Sequence, residues 1–208
     1  MRKIVIASRN RGKIAEYQEL LQDLAVELLS LADFPHLSEI QETGMTFREN
    51  ALIKARAAAA VGQIALADDS GLEVDYLQGA PGVFSSRYAG PGKSDEANNK
   101  KLLKALDGVP SAERGARFRC VIAVVTPQGR EFLSEGICEG MITSSLRGTK
   151  GFGYDPLFLI PSLGKTFAEL GSGVKNQLSH RAQAMRAARD ILARLLEDGV
   201  DEGCGSVS

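Results

Sequence analysis

Lys3-Ile4-Val5-Ile6-Ala7-Ser8-Arg9-Asn10-Arg11-Gly12-Lys13 reads as a strand that turns directly into a helix. The run from Lys3 to Ser8 is short, continuous, apolar and rich in β-branched residues, the pattern of a strand covered on both faces. From Ile14 onward Ile14, Tyr17, Leu21 and Leu24 recur at helical spacing. Outward from this opening, Val26 to Ser30 is expected to be a second strand, followed by a loop around Phe34-Pro35. Thr46-Phe47-Arg48-Glu49 is a capping box that starts a helix through Ala60, with Gly62 ending it. Ile64 to Ala67 is expected to be a strand that stops at Asp68-Asp69-Ser70-Gly71, and Gly79 to Lys93 a loop. Ser94 caps a helix to about Leu106. Arg117–Thr126 and Arg130–Ile142 flank Pro127-Gln128-Gly129 as a hairpin. Gly148 to Tyr154 is a second glycine-rich stretch, and Leu178, Ala182, Met185, Ile191, Leu192 and Leu195 mark a closing helix. Strands alternating with helices early and a hairpin late predict an α/β domain with a mixed sheet.

The chain has 208 residues, of which 44% are hydrophobic and 25% charged, enough for one domain with a core of its own. Residues 1–196 are expected to form that domain, with a disordered acidic and glycine-rich tail over 197–208. The net charge of −1 gives no global field for polyanionic nucleic acid. The uncharged stretch 57–67 is too short and alanine-rich for a membrane span, which needs about 20 apolar residues. Cys120, Cys138 and Cys204 are odd in number and widely spaced, which fits free thiols in a cytoplasmic protein.

Five places carry candidate chemistry. At the first turn, Arg9, Arg11 and Lys13 put three cations where a helix dipole disfavours them unless an anion sits there. Ser8 and Asn10 can cap the helix or donate to phosphate. Asp68-Asp69-Ser70-Gly71 offers carboxylates at a strand end, suited to Mg²⁺. Strand neighbours point to opposite faces, so if strand geometry persists only one aspartate enters a given site. Glu42 is a possible second metal carboxylate, whereas Glu49 has its capping box to serve. Asn50 and Lys54 share a helix face. Gly151-Phe152-Gly153-Tyr154-Asp155-Pro156 combines backbone freedom with aromatics that could stack on a base. Lys175 with Ser179-His180-Arg181 sets more cations at a helix start.

Taken in order, these pieces resemble the inosine triphosphate pyrophosphatase family. The resemblance runs from Ser8-x-Asn10-x-x-Lys13 through Glu42-Thr43-Gly44, Thr46-Phe47-x-Glu49-Asn50-Ala51, Lys54-Ala55 and Ala67-Asp68-Asp69-Ser70-Gly71-Leu72. It continues through Gly79-Ala80-Pro81-Gly82-Val83, Ser86-Arg87-Tyr88, the Gly151–Pro156 stretch, Lys175-Asn176 and Ser179-His180-Arg181. It implies an elongated two-lobed α/β fold with a long central mixed sheet flanked by helices and a cleft between the lobes. It implies a Mg²⁺-dependent homodimer that splits noncanonical purine nucleoside triphosphates such as ITP, dITP and XTP into the monophosphate and pyrophosphate. By position, Ser8, Arg9, Asn10, Arg11, Gly12 and Lys13 would hold the triphosphate, and Lys54 would neutralise its charge. Asp69 would accept the proton of the attacking water and bind metal, supported by Glu42 and Asp68. Ser70 would touch the substrate, and Phe152, Gly153, Tyr154, Asp155, Lys175, His180 and Arg181 would form the base pocket.

Arg9 and Arg11 make the phosphate turn more basic than the family pattern, and Gln41 stands before Glu42 where relatives often carry an acid. Two other readings compete: a related pyrophosphatase for modified pyrimidine triphosphates, and a non-catalytic nucleotide-binding regulatory domain. The missing GxGxxG argues against a dinucleotide oxidoreductase. No module for nucleic acid is recognised.

Overall fold

A computed structural model describes residues 2–35, 37 and 40–201. One seven-stranded mixed sheet organises them. Its strands are β1 (Arg2–Ile6), β2 (Val26–Ser30), β3 (Ile64–Val74), β4 (Gly115–Val125), β5 (Glu131–Ile142), β6 (Phe158–Ile160) and β7 (Lys165–Thr166), in the order β2-β1-β3-β4-β5-β6-β7. β1 runs parallel to both β2 and β3, and every later pairing is antiparallel. The helices are α1 (Arg11–Leu20), α2 (Phe47–Ala59), α3 (Asp95–Ala105), α4 (Ser172–Leu178) and α5 (His180–Asp201).

Side-chain alternation sorts the first half of the sheet into two layers. Val5, Ala7, Ala65, Ala67, Val121, Ala123 and Val125 face α2. Ile4, Ile6, Leu66, Cys120, Ile122 and Val124 face α1 and α5, where Tyr17, Leu21, Ala184, Met185 and Leu192 meet them. Both layers are buried, which is why β1 reads as a continuous apolar run. On the α2 side small residues meet small residues. Ala51, Ala55 and Ala58 are fully buried, so the helix lies close to the sheet and its polar face reaches the strand ends.

β3, β4 and β5 outrun the first lobe. Their far halves carry Leu72, Val74, Ala116, Phe118, Cys138 and Ile142 into a separate cluster with Leu102, Leu106, Phe158 and Phe167. That cluster is the second lobe, closed by α3, β6 and β7. Cys120 and Cys138 are free, buried thiols; Cys204 lies outside the described residues.

Several expectations need correction. β3 does not stop at Asp68. It continues to Val74, because β4 pairs with it residue for residue from Ala65↔Val125 to Val74↔Ala116. Gly79 to Lys93 is not a plain loop, since 82–87 forms a 3-10 turn. α5 runs to Asp201, past the expected start of the tail at 197; residues 202–208 lie outside the described residues. β6, β7 and α4 are too short to show a periodic pattern in the sequence. No described helix is long and apolar enough to cross a membrane.

Candidate active site

A cleft of about 710 Å³ opens between the lobes. β1 pairs with β3 only as far as Ile6↔Leu66. Beyond that point one edge of β3 has no strand partner, and the chain of β1 turns away into α1. Asp68, Asp69 and Ser70 lie on this freed edge. The site therefore sits where the parallel strands end, at the crossover point of the sheet.

Persisting strand geometry sends the two aspartates to opposite faces. Asp68 has the parity of Leu66 and faces α1 and α5. Its Oδ2 accepts from Lys13 Nζ at 2.8 Å, Ser70 Oγ at 3.1 Å and Arg181 at 3.4 Å, with Cys120 Sγ at 3.9 Å. Asp69 has the parity of Ala67 and faces α2. Asn50 Nδ2 donates to it at 3.0 Å, and Lys54 Nζ lies 3.5 Å away. Because the edge is open, both carboxylates still line the cleft.

Their electrostatics differ. Burial would raise Asp68, but Lys13, Arg181 and Lys54 outweigh it and hold the carboxyl far below the ordinary range. Burial also raises Asp69, and there Lys54 and Lys13 do not fully compensate, so Asp69 stays above its ordinary value. A proton acceptor works best when its pKa is brought toward the operating pH. Asp69 is the better placed of the two, a distinction that strand alternation alone left open.

Lys54 is not the solvated lysine that a helix face suggests by default. It is buried, and it bridges Glu42 at 2.7 Å and Asp69 at 3.5 Å. Burial pulls its pKa down, but Asp69, Asp68 and Glu42 raise it further, so it stays charged. Asn50 joins the site too, its Oδ1 accepting from Gly44 N at 2.8 Å. Glu49 has its expected structural task, accepting from Met45 N and Thr46 N while Thr46 Oγ1 accepts from Glu49 N.

The three expected metal carboxylates are not gathered. Asp68 is turned away from Glu42 and Asp69, and among the described residues no three His, Cys, Asp or Glu side chains come together as a metal-binding group. Glu42 and Asp69 do meet, at the two sides of the Lys54 ammonium.

In the first turn, Asn10 caps α1 by accepting from Lys13 N at 3.1 Å, and Ser8 Oγ accepts from Asn10 N. Ser8, Arg9, Asn10 and Lys13 line the cleft, whereas Arg11 and Gly12 do not. The helix begins at Arg11 and carries that side chain to the exposed face. Gly12 lies against the Phe152 ring, where an added Cβ would come within 3.0 Å. Its lack of a side chain admits the aromatic.

The base pocket assembles at the opposite end. Phe152 is its half-buried aromatic wall, with the Lys175 ammonium 4.6 Å from the ring centre. Asp155 accepts from Phe152 N at 3.0 Å and from Lys175 Nζ at 2.7 Å, which closes the 151–155 loop. Gly151 at φ +79° is required there, since a Cβ would fall 2.0 Å from Asp155 Oδ2. Tyr154 does not present its ring for stacking. It belongs to the second-lobe core, and its hydroxyl donates to Ser85 O at 2.8 Å.

Ser179 caps α5 by accepting from Ala182 N at 3.2 Å, which sets His180 and Arg181 at the cleft. His180 stacks on Phe118 at 4.8 Å. Burial, with Arg181 and Lys175 adding to it, drives its pKa far down, so the ring is neutral. Arg181 pairs with Glu16 and Asp68 and donates to Ser70 Oγ at 3.0 Å. His180 Nδ1 and Arg181 Nε remain buried without a partner.

Sequence reasoning missed four contributors. Glu16 pairs with Lys175 and Arg181. Arg87 lies 3.6 Å from Glu42, and Lys93 lines the same lip. Asp95 accepts from Gly153 N at 2.7 Å. Only the spacing of Glu16 from Lys13, about one helical turn, hinted at a cleft position; the other three depend on the second lobe folding over.

The Ham1 family model matches residues 4–191. Named dITP/XTP pyrophosphatases are similar along nearly the whole chain. That of Desulforamulus reducens is 54% identical over 194 residues, covering 93% of this chain and 96% of that protein. That of Listeria innocua is 50% identical over 198 residues, covering 95% and 98%. A solved HAM1 protein from Coxiella burnetii superposes with a TM-score of 0.85 at 46% identity, covering 93% of this chain and all of that one. The Ham1 protein of Staphylococcus aureus gives 0.83 at 42% identity, covering 92% and 98%.

Proposed function

This chain belongs to the Ham1 family, and from that premise we propose the reaction its cleft performs. It hydrolyses noncanonical purine nucleoside triphosphates, dITP, ITP and XTP, to the monophosphate and pyrophosphate. The relatives named above are dITP/XTP pyrophosphatases. The observation that carries the reading is one continuous cleft. It joins a raised carboxylate, two lysines and an aromatic pocket containing two unpartnered buried nitrogens.

Phosphoryl chemistry needs positioning and neutralisation more than covalent help. Lys13 and Lys54 supply cations on the two faces of β3. Ser8, Arg9 and Asn10 extend the phosphate seat, and Ser70 touches the substrate beside them. Asp69 takes the proton from the attacking water, with Asn50 fixing its orientation. Phe152, Gly153 and Asp155 border the base, and Lys175 holds the loop that carries them. The Arg181 Nε–H and a neutral His180 supply polar contacts for the 6-oxo edge. A 6-amino purine would set donor against donor there, which costs about 1–3 kcal/mol for a buried unpaired group.

Glu42 and Asp69 fit Mg²⁺, which is typically held by one or two carboxylates together with substrate phosphates. The ion would supply charge neutralisation at the phosphates. Asp68 belongs to the lysine-arginine pairing on the other face. Family kinship also supports a homodimer working in the cytoplasm, and the net charge of −1 is consistent with no nucleic-acid partner.

The test is a product assay with Mg²⁺ on ITP, XTP, GTP, ATP and modified pyrimidine triphosphates. Pyrophosphate from ITP and XTP, with little from ATP or GTP, is the expected outcome. Orthophosphate would place cleavage at the γ-phosphate and overturn the reading. Turnover confined to modified pyrimidine triphosphates would move the substrate class. Nucleotide binding without release of either product would make the chain a regulatory domain.

A further inference from the structure

Gly153 is the point of the 151–155 loop that side-chain packing does not hold. It sits at φ +62°, and among the described residues nothing lies within 4 Å of where its Cβ would be. A glycine in open space keeps wide backbone freedom. Helix α3 of the second lobe removes that freedom by hydrogen bonds. Asp95 Oδ2 accepts from Gly153 N at 2.7 Å, and Asn99 Nδ2 donates to Gly153 O at 2.9 Å. Asp95 and Asn99 are four residues apart on one face of α3, so the two contacts form a single grip on the peptides either side of Gly153.

Stability alone does not call for an asparagine on this helix face. Asn99 is only 5% exposed, and its Oδ1 has no partner among the described residues. Leu102 and Leu106, further along the same face, are fully buried in the second-lobe core. A leucine at position 99 would spare the helix a half-satisfied buried amide. Neighbouring Asn98 shows the contrast. It uses both ends, its Oδ1 accepting from Ala89 N at 2.7 Å and its Nδ2 donating to Ser86 O at 3.2 Å. Asn99 instead holds the residue next to Phe152, whose ring is the wall of the base pocket and lies 5.8 Å from the Arg181 guanidinium.

We propose that Asp95 and Asn99 are positioning residues that determine purine selectivity: from α3 they fix Gly153, and through it the distance between the Phe152 wall and the polar groups of Arg181 and His180. The inference rests on the base-pocket reading above. Lys175 anchors the far end of the loop through Asp155, and α3 anchors its middle. A 6-amino purine is penalised only while the base is held in register with the pocket's donors. A wall that can recede lets the base slide. The oxo purine then binds less well, and the amino purine escapes part of its penalty.

The experiment compares kcat and KM for ITP and ATP, together with Tm, in Asp95→Ala, Asn99→Leu and the double variant. Each single substitution should lower the ITP/ATP ratio of kcat/KM about tenfold, the scale of one such hydrogen bond. KM for ITP should rise while kcat for ITP stays within about twofold. Asn99→Leu should leave Tm unchanged or raise it. Both residues act on one glycine, so the double variant should lose less than the product of the two single losses. Asp95→Asn should stay within about threefold of the natural ratio, since its amide oxygen still accepts. Glu96→Gln removes the other first-turn acid of α3 and should leave the ratio unchanged. A lower Tm with an unchanged ITP/ATP ratio overturns the proposal, because a merely structural pair behaves that way. A ratio that falls as far in Glu96→Gln as in Asp95→Ala overturns it too.

A second measurement is amide hydrogen exchange in the protein without nucleotide. The Gly153 N–H should be protected in the natural protein and exchange at least about tenfold faster in Asp95→Ala. An unprotected Gly153 amide in the natural protein overturns the grip. Absence of any ITP preference in the natural protein would count against the base-pocket reading instead, and exchange at Gly153 would still decide whether α3 holds the loop.

Discussion

Asp68 and Asp69 are chemically equal in an unfolded chain, and the fold separates them. Asp68 lies against Lys13 and Arg181, and its pKa is driven down. Asp69, held by Asn50 and only loosely by Lys54, is raised. Asp69→Asn is expected to lower kcat by at least about 10³-fold while circular dichroism and nucleotide affinity stay near those of the natural protein. Retained turnover in a folded Asp69→Asn would remove the proton-acceptor assignment. In the natural protein the acid limb of kcat/KM should fall above the ordinary carboxylate value of about 3.9, because the base form of a raised group is lost at higher pH. His180 gives a stability signal. Its folded pKa is depressed below 6.5 by burial and two neighbouring cations. The unfolded chain therefore takes up a proton as pH falls below about 6.5 while the folded one does not, and stability is lost in that window. Stability should fall progressively between pH 6.5 and 5. His180→Gln should flatten that slope in urea titrations.

At the scale of elements, α2 carries the site because its start is fixed. Thr46 and Glu49 close the capping box, and Asn50 and Lys54 follow within two turns. Ala51, Ala55 and Ala58 bring the helix against Ala65, Ala67 and Ala123. Thr46→Ala should cost about 1 kcal/mol of stability by chemical denaturation. Activity should fall less than tenfold, since Asn50 is also held by Gly44 N and Lys54 by two carboxylates. β3 makes the complementary contribution. By continuing past Asp68 it sends Asp68 to α1 and α5 and the next carboxylate, Asp69, to α2.

At the scale of the molecule, the long strands tie the two lobes together, and α5 crosses them to deliver His180 and Arg181. The crossing is close. A Cβ at Gly136 on β5 would lie 2.2 Å from His180 O and 2.5 Å from Ala184 N. Gly136→Ala must push the start of α5 off the sheet, and no flexible side chain is there to yield. We expect a loss of about 1–3 kcal/mol or more. ITP/ATP selectivity should fall with it, because the base-pocket end of α5 shifts. A folded Gly136→Ala with unchanged stability and selectivity would show that α5 is not held at that point.

The chain order of residues was sufficient for much of this protein. β-branched runs, the capping box, the Pro127-Gln128-Gly129 hairpin and the cation-rich first turn depend on neighbours within a few positions, so β1, α1, α2 and the β4–β5 hairpin could be read directly. The cleft residues from Ser8 to Arg181 were likewise named from motifs. What local pattern did not contain was partnership. Only β4, paired along its length, keeps β3 extended through Asp68-Asp69-Ser70-Gly71, whose composition favours a turn. Only the folding of α4 and α5 over α1 brings Glu16 to Lys175 and Arg181, and only the second lobe turns Tyr154 inward and brings Arg87 to Glu42. Hydrogen bonding to a distant strand and burial by a distant helix decide which face a side chain takes and which charge it meets, and both are set by contacts far apart in the chain.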